Sequence, residues 1–268
     1  MKLLPLLLLF TLSINLFAKE IYIARFEYKN QIQYGQINDE YIQPLNSNIY
    51  KGLKPVGEKI ALKKVKLLLP SKAQNVFAVG MNFASHLSSP SDLPPPLFFK
   101  SPSSLILSGE NIVLPKDSRN VHFEGELVLI IGKKAKNVSI KDAPSYIFGV
   151  TVGNDLTERN WQRSDLQWMR AKASDGFGPI NSKIAIGVDY NNLLLTTKLN
   201  GKIVQQENTK YMIHKPSKVV SYLSKYFTLM PGDLIYMGTP GRTQSLVNGD
   251  IVSVEIEKVG KVINKIKK

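Results

Sequence analysis

Apolar positions along most of this chain recur with a period of two in short runs, and the runs are separated by polar turns. Ile21-Tyr22-Ile23-Ala24-Arg25-Phe26-Glu27-Tyr28 alternates, turns at Lys29-Asn30, resumes with Ile32-Gln33-Tyr34-Gly35 and turns again at Asn38-Asp39. That pattern predicts a small β-meander near the N-terminus. A linker follows, around Pro55 to Pro70, and the rest reads as further short strands punctuated by turns. Two segments have helical spacing instead. One runs from Leu156 to Arg170, with Trp161 and Trp168 seven apart, and the other from Ser217 to Phe227, entered by Ser217 as a cap. No internal repeat is present. The pattern predicts a mixed, β-rich α+β protein.

One run departs from simple alternation. His122-Phe123-Glu124-Gly125-Glu126-Leu127-Val128-Leu129-Ile130-Ile131-Gly132 reads as a strand that begins on two carboxylates and continues apolar. Strand side chains alternate between faces, so Glu124 and Glu126 share a face with Val128 and Ile130. An isolated Glu-x-Glu pair usually marks a solvated strand face. Here the same face turns apolar, which puts the pair at the mouth of a buried face. Two like charges held there need a positive partner, and a hard divalent cation with oxygen ligands is one solution.

Other segments carry weaker signals. Tyr146 to Asp155 reads as a buried strand ending in an aspartate, which is either a third carboxylate or an ordinary turn before a helix. Arg159 and Gln162 follow at helical spacing. Lys172 stands in a glycine-rich stretch, where it could neutralise a substrate carboxylate or simply face solvent. Gly238-Thr239-Pro240-Gly241 is a tight loop whose backbone amides could approach an anion.

Composition changes the picture in three places. The 268 residues are 43% hydrophobic and 21% charged, enough for one large domain with a small appendage and unlike a disordered chain. A net charge of +14 comes from lysines dispersed in small clusters with no recognition motif beside them, so nucleic acid is not expected as a partner. The absence of cysteine removes disulfides and thiolate ligands, leaving carboxylate, carbonyl or histidine for any metal. Finally, Met1-Lys2, the apolar run Leu3 to Phe17 and Ala18 have the layout of a secretory signal, residues 1–18. It predicts a periplasmic or secreted protein without stable membrane insertion after cleavage. A retained anchor or a cytoplasmic protein with an apolar N-terminal helix is the alternative.

The order of these segments is more specific than any one of them. Gly80-Met81-Asn82-Phe83-x-x-His86, Pro96 to Lys100, Glu124-Gly125-Glu126-Leu127, Gly153-Asn154-Asp155-Leu156-Thr157-x-Arg159-x-x-Gln162, Ala171-Lys172, Asn200-Gly201, Pro231-Gly232-Asp233 and Gly238-Thr239-Pro240 follow one another. This series resembles the fumarylacetoacetate hydrolase superfamily, in particular bacterial members similar to 2-hydroxyhepta-2,4-diene-1,7-dioate isomerase. The resemblance implies a small N-terminal β domain with linker (19–70) and a catalytic domain (71–268) built on a rolled β-sheet, usually as a homodimer. It implies Mg²⁺ or Mn²⁺ held by Glu124, Glu126 and Asp155. It also implies substrate contacts from Arg159, Gln162, Lys172 and Thr239, and His86 as the general base. Members act on small 2-oxo or enol carboxylic acids by C–C bond hydrolysis, decarboxylation or keto-enol isomerisation.

Two positions depart from the family pattern. Many members place a glutamate three residues after the histidine to orient it, and this chain has Ser89; Asp92 is a possible substitute. Arg242 stands where a glycine is common. The expected protein is a metal-dependent enzyme on a small 2-oxo dicarboxylic acid. A non-catalytic periplasmic metal-dependent binder of acidic metabolites is the alternative that Ser89 favours.

Overall fold

The strand Gly125–Ile131 lies between Ile147–Asn154 and Leu234–Tyr236 near the centre of a 13-stranded sheet, and every one of its residues is buried. The computed structural model describes residues 20–86 and 93–268; the expected signal segment, Ser89 and Asp92 lie outside the described residues. Outward from Ile147–Asn154 come Lys183–Ile186, Ile21–Tyr28, Gln31–Ile37, Tyr41–Pro44 and Ile60–Ala61; beyond Leu234–Tyr236 come Val76–Val79 and Leu97–Lys100. The N-terminal meander forms at the expected residues. Lys29 and Asn30 both take positive φ, 48° and 61°, the twist that a two-residue hairpin needs between right-twisted strands. Its first strand pairs with Lys183–Ile186, so the meander continues the main sheet. The stretch read as a linker supplies two short strands, Ile60–Ala61 and Lys66–Leu67, which pair with Tyr41–Pro44 and Ile21–Tyr28.

Alternation along Gly125–Ile131 feeds two cores. Leu127, Leu129 and Ile131 pack with Leu195, Val254 and Ile256 of a second, five-stranded sheet, while Val128 and Ile130 pack with Val76, Ile180 and Tyr236. The face that carries Glu126 is therefore continuous with an apolar layer, as its spacing predicts. Gly125 is required by the second sheet. A Cβ there would stand 2.3 Å from Thr197 Oγ1 and 2.9 Å from Val254 Cγ1. Gly125→Ala should force the sheets apart at this point and cost about 1–3 kcal/mol, read as a lower denaturation midpoint.

The helices differ from expectation. The segment 156–170 is not one helix: the short strand Thr157–Glu158 leads into α1 (Arg159–Ser164), and α2 (Met169–Ala173) starts separately. The cause is local. Glu158 accepts the backbone N–H of Trp161 at 2.6 Å and caps α1, while Asp165 turns extended and ends it. Trp161 is buried, and Trp168 precedes α2 rather than sharing a helix face with it. α3 (Pro216–Tyr226) begins with Pro216 in its first turn, and Ser217 is not its cap. Proline supplies the start because its missing N–H would have no partner there. No helix among the described residues is long and apolar enough to cross a membrane.

Candidate active site

Two antiparallel strand ends bring the three acidic residues together. Gly125 faces Asn154 and Glu126 faces Gly153, so the chain leaving one strand at Asp155 passes beside the chain entering the other at Glu124. Backbone bonds fix this crossing: Asp155 N–H donates to Glu124 O at 2.8 Å, and Glu124 N–H to Asn154 Oδ1 at 2.9 Å. Glu124, Glu126 and Asp155 are 4%, 1% and 0% exposed, and one carboxylate oxygen from each lies within 4.8 Å of the others.

Cations surround the triad. Lys172 Nζ lies 2.5 Å from Glu124 Oε2 and 2.7 Å from Asp155 Oδ2. Lys100 Nζ lies 2.6 Å from Asp155 Oδ1 and also donates to the Lys172 carbonyl. Arg159 donates to the other oxygen of Glu124 and to Gln162 Oε1 and Thr243 Oγ1. Glu126 accepts the N–H of Gly238 at 2.7 Å. Lys172 is thus a buried residue on a helix, not a solvent-facing one in a loop.

These contacts divide the carboxylates electrostatically. Burial raises the pKa of Glu124, but Lys172 and Arg159 outweigh it and hold the carboxyl down at about 2. Glu126 goes the other way: burial, then the Asp155 and Glu124 charges, push it well above the ordinary carboxylate range. Lys172 stays protonated because Asp155 and Glu124 overcome its desolvation, whereas burial lowers Lys100. The cluster therefore holds three carboxylates against Lys100, Lys172 and Arg159, near overall neutrality. All-oxygen donors at this spacing fit a hard divalent cation, and the repulsion concentrated on Glu126 is what such a cation relieves.

A cavity of about 40 Å³ opens onto the cluster, lined by His86, Glu124, Glu126, Arg159, Gln162, Lys172 and Thr239 with Met81 and Trp168 as apolar walls. Every candidate site residue from the sequence reaches this cavity except Asp155, which lies beneath it under the two lysines. Thr239 Oγ1 accepts from Gln205 Nε2 at 3.0 Å, and Gln205 also holds Pro240 O at 2.6 Å. Arg242 is exposed. His122 bonds to Thr243 Oγ1 and Asn120 Oδ1, and burial followed by Arg159 lowers its pKa to about 4. As a neutral ring it orients Thr243, and through it Arg159.

Sequence reasoning missed Lys100, Gln205 and Thr243 as parts of the site. Lys100 had a signal: a lysine closing the apolar run Leu97-Phe98-Phe99 has no other reason to be buried. Gln205 and Thr243 had none, because their partners are distant in sequence. The Glu158 carboxylate is also structural to the site. It accepts backbone N–H groups of Arg119, Asn120 and Trp161 and so sets the start of the helix that carries Arg159 and Gln162. Glu158→Ala should lower stability by about 1–2 kcal/mol in thermal melts and raise KM more than it alters metal affinity.

Comparison with known proteins agrees with this construction. Residues 75–267 match the fumarylacetoacetate (FAA) hydrolase C-terminal family, and residues 23–70 match the Rv2993c-like, N-terminal family. The fold is similar to that of 2-hydroxyhepta-2,4-diene-1,7-dioate isomerase from Mycobacterium marinum, with 33% identity and a TM-score of 0.86 over 92% of this chain and 98% of that one. It is also similar to fumarylpyruvate hydrolase from Pseudomonas aeruginosa, solved with Mn²⁺ and pyruvate, at 26% identity and a TM-score of 0.70 over 75% of this chain and 91% of that one. The rat mitochondrial oxaloacetate tautomerase Fahd2a is 34% identical over 77% of this chain and 71% of its own length. A family match across most of the chain, the same β-rich architecture, and three buried carboxylates where the motif order expects them make this chain a member of the fumarylacetoacetate hydrolase family of enzymes.

Proposed function

We propose that the chain is a divalent-metal-dependent enzyme that acts on a small 2-oxo or enol dicarboxylic acid, by proton transfer between keto and enol forms or by the related C–C cleavage or decarboxylation. The observation that carries this reading is the Glu124–Glu126–Asp155 triad, with Lys172, Arg159 and His86 all facing one cavity. Mg²⁺ or Mn²⁺ held by the three carboxylates would polarise the substrate's 2-oxo group and favour the enolate. A divalent ion takes the near-neutral cluster to about +2, which suits a dianionic substrate.

The protein's own groups have separable tasks. Arg159, backed by Gln162 and Thr243, is placed to hold a substrate carboxylate. Lys172 Nζ is placed to donate to an enolate oxygen, where charge develops. The Thr239 hydroxyl is fixed by Gln205 at the cavity wall. Met81 and Trp168 give the cavity its apolar walls. His86 Nδ1 lies 2.6 Å from Gly241 O, which leaves Nε2 as the proton-moving atom. An orienting carbonyl in place of a carboxylate, together with an isomerase and a tautomerase among the similar proteins, favours keto-enol isomerisation within the three reactions.

The test is incubation of purified protein and Mn²⁺ or Mg²⁺ with oxaloacetate, an acylpyruvate and hydroxyheptadienedioate, following enol absorbance and product. Metal-dependent turnover of one of them is expected, and His86→Ala should lower it with little change in metal affinity. Binding of all three without turnover would support a metal-dependent binder of acidic metabolites instead. The proposal extends to a cleaved signal at residues 1–18 and a homodimer; sequencing the mature N-terminus and sedimentation test these two.

A further inference from the structure

We propose that Ser85 and Glu207 are positioning residues that clasp the His86 turn to the Gly238–Gly241 loop and set the imidazole's tautomer, in the place of the carboxylate partner that Ser89 does not supply. This rests on His86 as the proton-transferring group.

The bonds form a closed chain. Gly241 N–H donates to Ser85 Oγ at 3.0 Å, and the Ser85 hydroxyl donates to Glu207 Oε2. The direction is fixed, because an ionised carboxylate only accepts and the hydroxyl has one proton. On the other side of the same residue, Gly241 O lies 2.6 Å from His86 Nδ1. A carbonyl also only accepts, so Nδ1 carries a proton, and in the neutral ring Nε2 is then the nitrogen with the lone pair. Gly241 is thereby held from both sides by neighbouring residues of one 3₁₀ turn, Ala84–His86. Its φ of +61° is the conformation that presents N–H and C=O this way and that favours glycine.

Glu207 belongs to the strand Lys202–Asn208, at the edge of the five-stranded sheet. Gln205 lies two residues earlier on the same face and grips Thr239 and Pro240. One strand face therefore holds the loop directly through Gln205, and holds the histidine turn to that loop through Glu207 and Ser85. Neither Ser85 nor Glu207 lines the cavity, so both act through His86. Ser85 is exposed and Glu207 half-buried, so losing their bond should cost little stability.

The experiment uses the full chain loaded with Mn²⁺ and whichever 2-oxo acid turns over in the screen above. Ser85→Ala and Glu207→Ala should each lower kcat by about 10- to 100-fold, with KM, Mn²⁺ affinity and melting temperature near wild type. Glu207→Gln, whose amide oxygen still accepts the serine hydroxyl, should recover most of the loss. In a His86→Ala background Glu207→Ala should have no further effect. The His86 imidazole ¹⁵N shifts should report one tautomer in wild type and a mixture in Glu207→Ala. Unchanged kcat and shifts in Ser85→Ala and Glu207→Ala, with His86→Ala inactive, would overturn the clasp alone. Full turnover by His86→Ala would overturn the role of His86 and the clasp's catalytic purpose with it, while the ¹⁵N shifts still decide whether the clasp sets the tautomer.

Discussion

Replacement of Glu126 by alanine abolishes divalent-metal binding and turnover together. Glu126 is the carboxylate that the apolar layer and its two acidic neighbours destabilise most, and its partner within the protein is the Gly238 N–H. Glu124 and Asp155, by contrast, already share Lys172, with Arg159 and Lys100 beside them. A divalent cation thus gains most from Glu126, and losing this one of three ligands should weaken Mn²⁺ by more than about 100-fold. Calorimetric titration with Mn²⁺ measures that directly. Glu126→Gln keeps the side-chain volume and serves as the fold control. Its metal-free melting temperature should equal or exceed that of wild type, since a buried like-charge repulsion is gone. Wild type should be stabilised by about 2.7 kcal/mol when Mn²⁺ is at 100 times its Kd, and the variant should show no such gain. Undiminished turnover in Glu126→Ala would sink the metal mechanism.

Lys172→Met has the second-largest expected effect, and it falls on stability as well as activity. The ammonium is 3% exposed and bridges Glu124 and Asp155, so a neutral side chain of similar length removes the cation between two buried carboxylates and leaves each with a single partner, Arg159 or Lys100. Breaking a buried pair from one side costs about 3–5 kcal/mol. Mn²⁺ should restore part of this, raising the variant's melting temperature more than it raises wild type's.

The pH dependence follows from Glu124. Its carboxyl sits at about 2 in the folded protein against an ordinary 4.5. The stability from that depression is fully present above about 4.5, is lost progressively as pH falls from there, and is gone once pH has fallen through about 2. Without Lys172 the folded value rises toward the ordinary one, so the variant, already less stable at neutral pH, should lose less further stability than wild type between about pH 4.5 and pH 2. Equal losses of stability over that window in wild type and variant would refute the assigned role of Lys172.

How far the site could be read from the sequence depended on how local each relation was. The place of Glu126 followed from strand period and from the apolar residues that continue its face, whereas the run read as one strand breaks at Phe123 and Glu124, and Glu124 is placed by its bonds to Asn154 and Asp155. The meander turn at Lys29-Asn30 followed from a polar break between alternating runs. The helix read across Leu156 to Arg170 failed because Glu158 caps a new start and Asp165 stops it after six residues. Helical spacing of the tryptophans could not reveal that interruption. The exposure assumed for a lone lysine failed at Lys172 because the partners that bury it are 17 and 48 positions away.

By itself the sequence determined the strand periodicity, the β-rich class, the order of segments that marks the family, and the residue types available to a cation. These are local properties, carried by neighbours along the chain. Only the tertiary structure decided that Asp155 passes beside Glu124, that Lys100 and Lys172 both lie buried against it, and that Gly241 orients His86. Those relations depend on antiparallel register and on loops meeting across more than 100 residues. Charge balance in the cluster depends on them too: counted along the sequence the site is acidic, and counted in space it is close to neutral before any metal or substrate arrives.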